Sequence, residues 1–215
     1  MDHDDFDSAL LTAAMTQAEQ GGWGSVSLLD AARNAGLPFP RTRERFPCKA
    51  SLLLRLGRIA DDSALADTTA FGSPRERLFD LLMRRLDVFQ QYRPGLRAVL
   101  RALPFDPPLA LLLGGATVES MRWMADAAGI SSSGLGGLVR TNMVVAIWTH
   151  TLRAWEKDES EDMGSTMAAL DQALNQAARF RLFPAESDTT SGGLPDLDFE
   201  DPNAPFAPDG AENPL

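Results

Sequence analysis

Two groups of side chains in this sequence have the types and spacing to do chemistry. One is a run of bases in the first third of the chain, the other a run of carboxylates near residue 160. Between Arg33 and Arg58 stand seven bases (Arg33, Arg41, Arg43, Arg45, Lys49, Arg55 and Arg58) against one acid, Glu44. That is a local charge of +6 in a chain of net charge −10. Such an island neutralises phosphates in a nucleic-acid partner, or it is a solvated face with no partner. Asp158, Glu159, Glu161 and Asp162 precede an apolar helical pattern, where carboxylates complement the helix dipole more naturally than they hold a cation or move protons. His3 and His150 are the only histidines; His3 stands in a terminus expected to fray, and His150 has no second His, Cys or carboxylate at ligand spacing. A metal site and a Ser/His/Asp triad are therefore not expected, and His150 reads as a core or interface residue. Cys48, the single cysteine, excludes an internal disulfide framework and suits a helix start more than a redox sensor. Gly114-Gly115 and the Gly134 to Gly137 stretch follow no strand and carry no lysine, so they are not phosphate loops. The expectation is a protein that is not an enzyme and uses no cofactor.

The elements that must position the bases are helices. Apolar residues recur near a 3.6 period from Ser8 to Gln20, and Gly21-Gly22 stops that helix. Ser27 caps a short helix that ends at Gly36. Another begins near Pro40 and ends before Phe46-Pro47, since a residue preceding proline is pushed out of the helical region. A fourth runs from Lys49 to about Ala66. After a linker at Thr68 to Ser73, helices are expected from Pro74 to Tyr92, Pro94 to Leu103, Pro107 to Gly129, Leu138 to Lys157 and Asp162 to Arg181. Ser131 to Gly137 reads as a turn. No useful period-2 alternation occurs, so the class is all-α with about nine helices. No apolar run approaches the ~20 residues that span a bilayer. The acidic start MDHDDFD lacks the bases of a targeting signal, so a cytoplasmic protein is expected. Residues 184–215 hold seven of the acids and no base from Ser187 onward, and read as a disordered acidic tail.

The first four helices carry a specific pattern: Gly21, Gly22 and Trp23 at a turn, Ser27 as a cap, then Asp30-Ala31-Ala32, Ala35-Gly36-Leu37 and Phe46-Pro47-Cys48-Lys49. Over roughly residues 8–65 this resembles the helix-turn-helix domain of the TetR family. The resemblance implies a flexible start at 1–7, a three-helix DNA-binding domain at 8–50 and a helical-bundle domain for ligand binding and dimerisation at 51–183. It implies a palindromic double-stranded DNA operator contacted through Arg41, Thr42, Arg43, Arg45 and Lys49. The sequence departs from the family pattern at Pro38, Pro40 and Thr42, and arginines stand where the aromatic pair is usual. Repression in response to an apolar small molecule or lipid is the function so implied.

A second resemblance covers roughly residues 75–180. Ser120-Met121-Arg122-Trp123, the Trp148 helix, and Arg153-Ala154-Trp155 followed by Asp158-Glu159-Ser160-Glu161-Asp162 and Leu170-Asp171 are similar to the lipid-binding accessory protein of ubiquinone biosynthesis. That family keeps the TetR-like fold and is not a conventional repressor. With either family the middle helices should enclose an apolar pocket, lined by some of Met83, Leu86, Met121, Trp123, Met124 and Trp148, because Met and Trp fill irregular space. A homodimer is expected through the last two helices, with Val145, Leu152, Met163, Met167, Leu170 and Leu174 facing the partner copy.

Overall fold

The computed structural model describes residues 3–66, 72–160, 162–180 and 182–183. Nine α-helices and no strand occur among them: α1 His3–Gly21, α2 Leu28–Asn34, α3 Phe39–Arg45, α4 Lys49–Leu65, α5 Pro74–Gln90, α6 Arg93–Ala102, α7 Pro107–Ala127, α8 Gly134–Lys157 and α9 Gly164–Arg179. The expected acidic tail lies outside the described residues.

Local chemistry sets most of the boundaries. Gly22 takes φ 79°, a left-handed conformation that ends α1 without a Cβ clash. The Ser27 hydroxyl accepts from the Asp30 amide and opens α2. Gly36 takes φ 65°, and the Leu37 amide reaches back to the Ala32 carbonyl at 2.8 Å. This doubled-back ending buries Leu37 beside the helix it closes. Ser73 and Glu76 form a reciprocal capping box at the start of α5. Asp106 caps α7 through the Leu109 amide at 3.1 Å.

Packing then draws the helices onto one core. The apolar stripe of α1 (Phe6, Leu10, Leu11, Ala14, Met15 and Ala18) is buried against α2 and α6. Gly95 of α6 permits that approach: a Cβ there would come within 2.6 Å of the Met15 carbonyl oxygen. α4 packs on α5 and α7, and α8 packs on α7 and α9. The expected domain boundary at residues 50 and 51 falls inside the first turn of α4, a single unbroken helix.

Two elements differ from the sequence expectation. The stretch before residue 138 is helical from Gly134 rather than a turn. Gly137 is buried, and a Cβ there would meet the Ser132 backbone at 2.1 Å, so this glycine serves close approach rather than chain reversal. Met163 stands outside α9, in the left-handed conformation at φ 54°. α8 also has a solvent face, with Leu138 and Val139 exposed, although its composition is apolar nearly all round.

Candidate functional site

The basic island sits on α3 and α4, and the chain's own acids hold much of it. Asp7 of α1 is fully buried and grips two arginines. Arg45 donates to it through both Nε and Nη2, the latter at 2.6 Å to Oδ2. Arg55 Nε donates to the same Oδ2 at 2.6 Å, and its Nη2 reaches Asp4 at 2.9 Å. Burial pushes the Asp7 carboxyl up, but the hydrogen bonds and charges of Arg45 and Arg55 outweigh it and hold the group below the usual carboxylate range. Arg41 lies over the Phe6 ring at 4.7 Å, with Nη2 3.3 Å from His3 Nδ1. Lys49 Nζ donates to the carbonyls of Trp23 at 2.9 Å and Gly24 at 3.4 Å. Thr42 is buried and donates to the Pro38 carbonyl at 3.1 Å. Arg43 is the expected contact that is exposed and, among the described residues, makes no side-chain bond. Asp4 and Asp7 were missed from sequence. Their signal is the acidic opening of the chain, where a spacing of three puts both carboxylates on one face of a helix.

A cavity of about 720 Å³ opens among α4, α5, α6, α7 and α8. Trp123 and Trp148 line it as expected from sequence, Trp148 buried and Trp123 on the exposed rim. Leu86, Met121 and Met124 do not line it: they are fully buried in the helix-to-helix core. Met83 packs on that core as well. Val145 and Leu152, expected to face a partner copy, line the cavity instead. Their helix turns them inward with Trp148, one turn from each.

Among the polar residues that line the cavity, Asp61, Arg85 and Ser120 bond to one another, and neither Asp61 nor Arg85 was singled out in the sequence. Arg85 is 4% exposed. Its guanidinium stands between the Phe89 and Trp148 rings, at 5.3 and 5.0 Å from their centroids. Nη1 pairs with Asp61 Oδ1, and Ser120 Oγ donates to Asp61 Oδ2 at 2.5 Å. Burial pulls the Arg85 guanidinium down to about 10. The available signal was a charge inside an apolar stripe: Leu78, Leu81, Leu82, Arg85, Leu86 and Phe89 share one face of α5.

Three of the other four expected partner-facing residues are buried within the chain. Leu170 and Leu174 are fully buried against the core, Met163 is buried, and Met167 is half-buried. His150 is exposed. Of the carboxylates near residue 160, Asp158 has a structural task. It accepts from the Thr166 amide at 2.8 Å and hydroxyl at 2.7 Å, and from the Ser160 amide and hydroxyl at 3.0 and 2.6 Å. It thus caps α9 from eight residues upstream. Burial alone would raise its pKa, but these hydrogen bonds hold it far below the usual carboxylate range. Among the described residues, no cluster of His, Cys, Asp or Glu could hold a metal ion, and no helix is long and apolar enough to cross a membrane.

No protein-family model and no curated protein matches the chain. Solved structures do. The TetR transcriptional regulator from Nitrosomonas europaea ATCC 19718 aligns with a TM-score of 0.68 at 22% identity, over 82% of this chain and 99% of that one. A TetR transcriptional regulator from Rhodococcus sp. RHA1 aligns with a TM-score of 0.55 at 17% identity, over 81% and 97%. The fold is TetR-like and all-α.

Proposed function

We propose that the chain binds an apolar, lipid-like molecule in the cavity among α4 to α8, and that it serves as a lipid-binding accessory protein without reading DNA. The cavity carries this proposal: its size of about 720 Å³ falls in the range of ~300–1,000 Å³ usual for small-molecule sites, and its walls are mainly Leu, Val, Phe and Trp. The expectation drawn from residues 75–180, a resemblance to the accessory protein of ubiquinone biosynthesis, agrees with it. So does the state of α3, where Thr42 is buried and Arg45 is paired with Asp7. Arg45 spends Nε and Nη2 on Asp7, which leaves it fewer donors for a phosphate or a base edge. The chain has no catalytic role in this proposal. The test is native mass spectrometry of the full chain purified from its own host, with extraction of whatever co-purifies. A stoichiometric amphiphile is expected. A chain that is always empty, and that no long-chain lipid stabilises against heat, would refute the proposal.

A second reading, a dimeric TetR-type repressor with an apolar effector, is favoured by one observation: the α2–α3 turn at Gly36 is intact and Arg43 is exposed beyond it. Both similar structures are transcriptional regulators. A mobility shift on the DNA flanking the gene, at low and moderate salt, separates the two. Retention of a specific complex at moderate salt selects the repressor.

A further inference from the structure

Of the charged residues that line the cavity Arg85 is the buried one, and it has an unused donor. Asp61 occupies Arg85 Nη1, and Ser120 occupies the other oxygen of Asp61. Arg85 Nε is buried and has no hydrogen-bond partner. Gln17, Arg75, Arg93 and Arg97 also carry a buried nitrogen without an acceptor, but Arg85 is the one of these side chains that lines the cavity, where a ligand acceptor can reach it. The flanking Phe89 and Trp148 rings keep the guanidinium from turning away.

Charge narrows the acceptor. The charged residues lining the cavity are three cations (Arg58, Arg85 and Arg153) and three anions (Asp61, Glu119 and Glu156). The one deeply buried cation already has its counter-ion. A carboxylate head would add an uncompensated negative charge beside Asp61, and an ammonium head would face a guanidinium. An uncharged carbonyl oxygen fills the vacancy without either cost.

We infer that the cavity selects amphiphiles with a neutral carbonyl head, of the ester or ketone kind, held by Arg85 with the chain along the apolar walls. This deepens the lipid-binding proposal and rests on it. The test is titration of the full chain, followed by tryptophan fluorescence, since Trp148 adjoins Arg85. The probes are methyl laurate, ionised laurate, dodecylamine and the hydrocarbon tridecane. Methyl laurate should bind about 10-fold tighter than laurate or dodecylamine, the worth of one hydrogen bond to a charged group. In the double variant Arg85→Met/Asp61→Leu, which removes both charges together, methyl laurate affinity should fall about 10-fold while tridecane affinity stays the same. Should that variant not fold, Arg85→Lys carries the same test, because it keeps the charge beside Asp61 and lacks Nε. Laurate or dodecylamine binding as tightly as the ester overturns the inference. So does an unchanged ester affinity, or an equal loss for ester and tridecane, in the variants. Binding of neither ester nor tridecane by the natural chain overturns the lipid-binding proposal itself.

Discussion

Replacing Asp7 with Asn tests whether α1 clamps α3 and α4 electrostatically. The asparagine keeps the shape and the burial but loses the charge. Its single acceptor can serve one of the two guanidinium groups, and its amide then points N–H toward the other. Arg45 and Arg55 are 29% and 26% exposed at the side chain, so both regain some water when released. That relief places the cost below the ~3–5 kcal/mol of breaking a wholly buried pair, at about 2 kcal/mol. For a chain of this size it corresponds to a fall in Tm of roughly 4–8 °C. The pH dependence supplies the control. The folded Asp7 carboxyl titrates below its ordinary value, so its stabilisation is complete above the unfolded pKa of ~3.9 and fades as pH falls toward the folded pKa. Thermal unfolding of the natural and Asp7→Asn chains, followed by circular dichroism from neutral pH to about pH 3, should show a Tm gap that narrows with acid. A gap that stays constant, or no gap at neutral pH, would mean that the Asp7 ion pairs do not hold these helices. The same variant should bind random-sequence DNA more tightly at low salt, because one negative charge beside Arg45 and Arg55 is removed.

Asp158→Ala removes four hydrogen bonds at the start of α9 and should destabilise the chain by about 2–3 kcal/mol, measured by urea unfolding. Gly95→Ala puts a methyl into the Met15 backbone and should cost about 1–3 kcal/mol in the same assay, since neither helix backbone can yield cheaply. Trp123→Ala, at the exposed rim of the cavity, should change stability by less than about 1 kcal/mol, whereas Trp148→Ala should cost about 3–5 kcal/mol. If the chain is a homodimer, the large apolar residues exposed for it on α8 are Leu135, Leu138 and Val139. Val139→Glu should then shift the sedimentation coefficient from dimer to monomer at micromolar concentration, and a value unchanged by the substitution would exclude that face.

The helices themselves were legible in the amino-acid order because their signals are local. Ser27, Ser73 and Asp106 cap with atoms a few residues away, and Gly22, Gly36 and Gly129 end helices by a conformation only glycine adopts cheaply. The 3.6 period identified which face of α1, α4 and α5 is apolar, and the TetR-like order followed from the spacing of those signals. What each face meets was not legible. The stripe of α9 looks the same in sequence whether it covers a second copy or the chain's own α8, and the structure spends Leu170 and Leu174 on the chain itself. Met121 was expected on the cavity wall and Val145 against a partner copy, and the packing of α7 and α8 puts Val145 on the cavity and Met121 in the core. The +6 island read as free charge because Asp7 is 38 residues from Arg45 and 48 from Arg55. Pairing over such separations is decided when α1 docks against α3 and α4. Phe6 and Leu10, beside Asp7 on α1, are fully buried, and burial of that stripe fixes where the Asp7 carboxylate stands.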